Sequence, residues 1–152
     1  MQKSTTSTLL VCVLYNKGEE GKLTLETQER IIASCKISKK LCFVGAGAKS
    51  MSDYASLNGA ETIAILDNCS STIGNIKEIK KFVEENHQYK EVVIISHRYH
   101  LNRIDYLCRF FDLKAKSLGA DFINVNSKIK INYLEPAKFL YTKLLKLLNL
   151  LK

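Results

Sequence analysis

The stretch Glu91-Val-Val-Ile-Ile-Ser-His-Arg-Tyr-His-Leu-Asn-Arg103 decides the fold class. Val92 to Ile95 is β-branched throughout with no polar alternation, which predicts a central parallel strand covered on both faces. Leu101, Ile104, Leu107, Cys108 and Phe111 then recur at helical spacing. The junction is a strand, a short loop and a helix, and Ser96, His97, His100 and Arg103 fall on it. Ligands of open α/β sheets bind outside the carboxyl ends of the strands, so two imidazoles and a guanidinium here are positioned for recognition or catalysis.

Working toward the N-terminus, the same grammar repeats. Leu9 to Leu14 is an apolar run, too short for a signal-peptide core or a membrane span, and reads as the first strand. A turn-rich loop, Tyr15 to Gly21, leads to a helical pattern from about Thr24 to Ile37. Leu41 to Val44 is a second strand, broken by Gly45-Ala-Gly47; Ser50 or Ser52 is placed to cap a short helix ending near Asn58-Gly59. Thr62 to Leu66 gives a third strand. Asp67 to Ser71 is a polar loop whose Ser71 caps a helix with Ile76, Ile79 and Val83 on its buried stripe. Beyond the decisive segment, Lys114 to Leu118 reads as a fifth strand, and an irregular section reaches Glu135-Pro136 and a last helix from Phe139 to Leu151. Strand–helix alternation of this kind implies a Rossmann-like α/β domain: a three-layer sandwich around a mostly parallel sheet of about five strands.

The 152 residues, 46% hydrophobic and 25% charged, form one globular domain of ordinary make-up, with no second domain required. Five cysteines without a C-x-x-C pair favour a reducing, cytoplasmic compartment over a disulfide framework. A net charge of +8 suits an anionic partner: phosphate, nucleotide, nucleic acid or an acidic membrane surface. The basic residues scatter over several helices without interleaved aromatics, which speaks against nucleic acid. The last helix carries Lys138, Thr142, Lys146 and Asn149 on one narrow polar stripe, and nearly everything else in it is Leu, Phe or Tyr. Packing on the sheet or a second subunit is the plain reading of so wide an apolar face, and weak contact of 138–152 with a membrane surface is the other.

Three segments carry polar chemistry. Gly45-Ala-Gly-Ala-Lys-Ser50 lacks the glycines of a Walker loop and the third glycine of the dinucleotide fingerprint, leaving a plain turn or a glycine loop whose amides bind an anion. Ser70-Ser-Thr-Ile-Gly-Asn75 supplies hydroxyls and an amide where capping explains only one of them. His97 and His100 have no cysteine or carboxylate at ligand spacing, so no metal site is expected. Arg103 offers a planar fork for phosphate or carboxylate, or else an ion pair with Asp105 or Asp112, and His100 is the acid/base candidate. Ser96 lacks a Gly-x-Ser-x-Gly elbow.

Taken in order, Gly21, Leu23 and Arg30, then Gly45 and Gly47, then Ser70, Thr72 and Asn75, then Ser96, Tyr99, His100 and Arg103 resemble the YdcF/SanA/ElyC-like family over nearly the whole chain, with Glu135 in the place of its closing acidic residue. The resemblance implies a Rossmann-like domain with these residues in one cleft. It also implies kinship with the soluble YdcF-like branch, whose ligand is S-adenosylmethionine or a nucleotide-like molecule. Two departures matter: Gly74 replaces a glutamate before the asparagine, and Ser50-Met51-Ser52 replaces a Glu-Ala pair. Asp53 and Asp67 are the substitutes at hand. The expected function is binding of an anionic, phosphate-bearing or nucleotide-like small molecule, with hydrolysis or transfer of a phosphate-linked group as the reaction to look for. Arg30, Gly45, Gly47, Ser70, Thr72, Asn75, Ser96, His97 and Arg103 bind, and His100 moves the proton. A non-catalytic S-adenosylmethionine module and a basic nucleic-acid-associated protein are the rivals.

Overall fold

The computed structural model describes residues 8–18, 22–123 and 135–147. Five strands, β1 (Leu9–Leu14), β2 (Lys40–Val44), β3 (Glu61–Leu66), β4 (Glu91–Ser96) and β5 (Lys116–Gly119), form one sheet in the order β3-β2-β1-β4-β5, every pair parallel. Helices α1 (Leu25–Ile37), α2 (Ala48–Leu57), α3 (Thr72–Glu85) and α4 (Arg98–Phe110) make the crossovers, α5 (Ala120–Ile123) is a single turn, and α6 (Glu135–Leu147) follows.

Alternation along β1 explains the layers. Leu10, Cys12 and Leu14 point to one face with Cys42, Val44, Val92 and Ile94, where Ile76 and Ile79 of α3 and Ile104 and Leu107 of α4 cover them. Val11 and Val13 point to the other with Leu41, Phe43 and Ile95, under Ile31 and Ala33 of α1 and Met51 and Ala55 of α2. Both faces are therefore dry, as the unbroken apolar runs of β1 and β4 require. Strand order reverses between β1 and β4, and a crevice opens at their carboxyl ends where the two crossovers diverge.

Several boundaries differ from the sequence reading for local reasons. Ser71 caps α3 as expected, accepting from the Gly74 amide at 3.1 Å. Neither Ser50 nor Ser52 caps α2: the helix starts earlier, at Ala48, with Gly47 as cap, and the Ser52 hydroxyl lies 2.6 Å from that of Thr62 on β3. The fifth strand begins at Lys116, because pairing with β4 runs from Val93–Lys116 to Ser96–Gly119. The last helix begins at Glu135, four residues before its apolar run, and its end past Leu147 lies outside the described residues, as do Gly21 and the Glu135 side chain.

Of the polar stripe of α6, Thr142 faces inward. Thr142 is buried, while Leu140 and Leu144 are 69% and 48% exposed, so the helix presents its hydroxyl to the protein and leucines to solvent. Phe139 anchors it edge-on against Tyr106 of α4, with ring centroids 5.5 Å apart. Among the described residues no helix is long and apolar enough to cross a membrane.

Candidate functional site

A cleft of about 330 Å³ lies at the reversal point, walled by the loop after β1, the start of α3, the first turns of α4 and the inner face of α6. Of the ten residues singled out in the sequence, Arg30, Ser70, Thr72, Asn75, His100 and Arg103 line it. Ser96 and His97 stand one layer behind, fully buried, each bonded to a lining residue.

His100 and Arg103 form the first pole. The Ser96 hydroxyl lies 2.9 Å from His100 Nδ1, and Arg103 Nη2 lies 2.6 Å from His100 Nε2 and 2.7 Å from Thr72 Oγ1. A guanidinium only donates, so Nε2 accepts and the proton sits on Nδ1, facing Ser96. Burial, then the charges of Arg103, Arg30 and Lys138, hold the His100 pKa well below its usual value. The imidazole is neutral at physiological pH and orients the guanidinium. Thr72 is the first residue of α3, so Arg103 rests against the positive end of a helix macrodipole.

Arg30 forms the second pole, and it is 1% exposed. Its Nη1 donates to the Leu14 carbonyl at 3.0 Å and its Nε to His97 Nδ1 at 3.1 Å, while Nη2 lies 3.6 Å from Glu26. Accepting at Nδ1 fixes the other tautomer for His97, whose Nε2–H meets Glu29 at 3.1 Å. Burial and then Arg30 lower the His97 pKa, against a raising pull from Glu29. Glu26 also accepts from the Tyr99 hydroxyl at 2.6 Å and from the Asn16 amide, tying α1, α4 and the loop after β1 together. Asn16 is fixed further by its backbone N–H donating to Thr27 Oγ1 at 3.1 Å.

The glycine loop has a different job from the one its sequence suggested. Gly45, at φ 121°, and Gly47 are absent from the lining because Tyr15 lies over them: a Cβ on Gly45 would sit 2.7 Å from the Tyr15 Cβ, and one on Gly47 2.2 Å from its Cε2. The Gly45 amide is already bonded to the Leu66 carbonyl. These glycines seat an aromatic wall, and their neighbour faces the cleft in their place.

Tyr15, Asn16, Lys17, Tyr99, Lys138 and Thr142 are also among the lining residues without having been singled out as site residues. For Thr142 the signal was present, a hydroxyl on an otherwise leucine-rich helix; for the loop after β1 it was hidden by an ordinary turn composition. Asp53 pairs with Lys49 on the surface of α2, and neither it nor Asp67 lines the cleft. Gly74 packs so that a Cβ would meet that of Cys69 at 2.9 Å, and the Cys69 thiol donates to Asn75 Oδ1 at 2.9 Å, fixing the amide. Among the described lining residues there are four cations and no carboxylate. Among the described residues, too, no group of three or more His, Cys, Asp or Glu is placed to hold a metal ion.

No protein-family model matches this sequence, and no curated protein or solved structure is found to match it.

Proposed function

We propose that the cleft binds an anionic small molecule, phosphate-bearing or nucleotide-like. The observation that carries this is the Arg103 guanidinium set against the first residue of α3, with Lys138 also lining the cleft. A guanidinium and an ammonium beside a helix N-terminus offer positive charge and N–H donors to the same space, which is the chemistry a phosphate takes. The phosphate is read by Arg103, Thr72 and the Ser70 and Ser71 hydroxyls, and the Asn75 amide holds an adjoining polar group. Its entry displaces the bond from Arg103 to His100, which frees Nε2 as a proton acceptor. An imidazole of depressed pKa is always available in the neutral form but is a weak base, so electrostatic stabilisation by Arg103 outweighs proton transfer in any phosphate-linked hydrolysis or group transfer.

An S-adenosylmethionine module is the weaker reading, since a sulfonium would enter a lining that already holds four cations. The ordered motif pair ending at Asn75 and at Arg103 supports kinship with the YdcF-like branch, and five free cysteines support a cytosolic setting.

Thermal unfolding in the presence of inorganic phosphate, nucleoside monophosphates and S-adenosylmethionine tests the reading. A ligand at a hundred times its dissociation constant adds about 2.7 kcal/mol of stability. Phosphate-bearing compounds are expected to raise the melting temperature, less so at high salt. A rise with S-adenosylmethionine alone, or with none of them, overturns the proposal.

A further inference from the structure

Resting on that reading, we infer that Tyr15 is a stacking platform for a planar ring carried by the same ligand, which makes the ligand class a nucleoside monophosphate rather than a bare or sugar phosphate. Three phenols line the cleft, and their surroundings separate them. Tyr99 lies between the imidazoles of His97 and His100, with centroids at 6.1 and 6.2 Å and planes inclined by 20° and 26°, and its hydroxyl is held by Glu26. Its ring is thus committed to the protein. Tyr141 is 61% exposed, out on the rim of α6.

Tyr15 differs from both. Its backbone N–H donates to the Val44 carbonyl at 2.8 Å, extending the β1–β2 pairing by one residue beyond the strand ends, so the residue is mounted on the sheet and not on a free loop. One side of its ring is pressed against Gly45 and Gly47, where no side chain larger than hydrogen fits, and the ring also lines the cleft. An aromatic ring backed by main chain and fixed at its base loses little entropy when a second ring is laid on it. Every nucleobase has a π-face, so such a platform binds bases without selecting among them. Asn16, clamped to Glu26 and Thr27 beside it, supplies a polar edge next to the ring. The positive end of the same cleft, at Arg103 and Thr72, takes the phosphate, so the two ends of a 5′-nucleotide have separate, chemically matched walls.

Calorimetric titration of the full chain with inorganic phosphate, ribose 5-phosphate and AMP tests this. AMP is expected to bind roughly tenfold more tightly than ribose 5-phosphate, the size of one base–aromatic stack. Tyr15→Leu is expected to bring AMP down to the affinity of ribose 5-phosphate and leave ribose 5-phosphate unchanged, while Tyr15→Phe keeps the preference. Equal affinity of the wild-type chain for AMP and ribose 5-phosphate overturns the platform and leaves the phosphate site standing, whatever the folding of the variants. A preference for AMP that survives in a folded Tyr15→Leu protein also overturns it. If none of the three compounds binds, the phosphate reading falls and the platform with it.

Discussion

The two arginines of the cleft are built in opposite ways. Arg30 is enclosed by Glu26, His97, Glu29 beyond it and the Leu14 carbonyl, all fixed by α1 and the ends of β1 and β4. Arg103 has a hydroxyl, a neutral imidazole and the start of a helix among its contacts. The first arrangement neutralises a buried charge and thereby joins the two strands at the reversal point. The second concentrates positive potential at an open surface. A buried cation paired with a carboxylate is part of the scaffold, whereas a guanidinium that lines the cleft beside a helix N-terminus is placed to meet an anionic ligand.

The sharpest way to break this contrast is Arg30→Ala. It takes the cation from beside Glu26 and leaves His97 Nδ1 and the Leu14 carbonyl without their donor, and loss of one partner from a buried ion pair costs about 3–5 kcal/mol. Chemical denaturation should show that loss in the absence of any ligand. A destabilisation under about 1 kcal/mol, the range of exposed pairs, would make Arg30 another ligand arginine and erase the distinction.

Arg103→Ala should divide its effect the other way. A charge-assisted hydrogen bond is worth about 1.5–3 kcal/mol, so affinity for phosphate should fall roughly ten- to a hundredfold. Its cost to unliganded stability should be smaller than that of Arg30→Ala, because Arg103 is less buried than Arg30. Titration and denaturation of the same two variants give a two-by-two comparison, and it fails if both arginines report mainly on folding.

How far each pole could be read from sequence follows from how local its determinants are. The strands, their order of appearance and the helix stripes are written in runs such as Val92 to Ile95, where every residue points to the same assignment. His100 and Arg103 were legible because they share one turn after such a run. Tyr15 was not: its role depends on Gly45 and Gly47, beyond the end of the neighbouring strand, and the glycines drew attention to themselves as an anion loop instead of as its seat. The carboxylates of the Arg30 pole were equally hidden, since Glu26 and Glu29 look like ordinary helix-surface acids until β4 brings His97 against α1. The inward turn of Thr142 is a docking angle, which no single-helix pattern encodes.

Acid should weaken the protein through both poles. Each histidine has a folded pKa below its ordinary value of 6.5, so on acidification the unfolded chain takes up protons that the native chain does not. Stability therefore falls as pH drops below about 6.5, by at most about 1.4 kcal/mol per pH unit for each histidine, and levels off once the native imidazoles protonate. Among the described residues, Arg103, Arg30, Lys138 and His97 lower the His100 pKa, whereas Glu29 in contact with His97 raises that of His97. His100→Gln should consequently remove more of the acid sensitivity than His97→Gln. Equal slopes in the two variants, measured by denaturation between about pH 7.5 and 5, would show that the carboxylates do not shelter the Arg30 pole.

Lys138→Ala is the mildest perturbation and tests whether α6 belongs to the Arg103 pole or merely covers it. The helix stays docked without this side chain, since Phe139 on Tyr106 and the Lys146 ammonium 5.4 Å over the Tyr106 ring are untouched. Lys138 is exposed and on a flexible stem, so its attraction for a phosphate is screened by water and salt and is worth about 0.5–1 kcal/mol, a few-fold in affinity. That loss should appear mostly in the association rate and vanish above roughly 0.5 M salt, where the screening length falls below about 5 Å. A salt-insensitive loss as large as that of Arg103→Ala would place Lys138 in direct, desolvated contact with the anion, and α6 would then be a wall of the binding site in the same sense as α4.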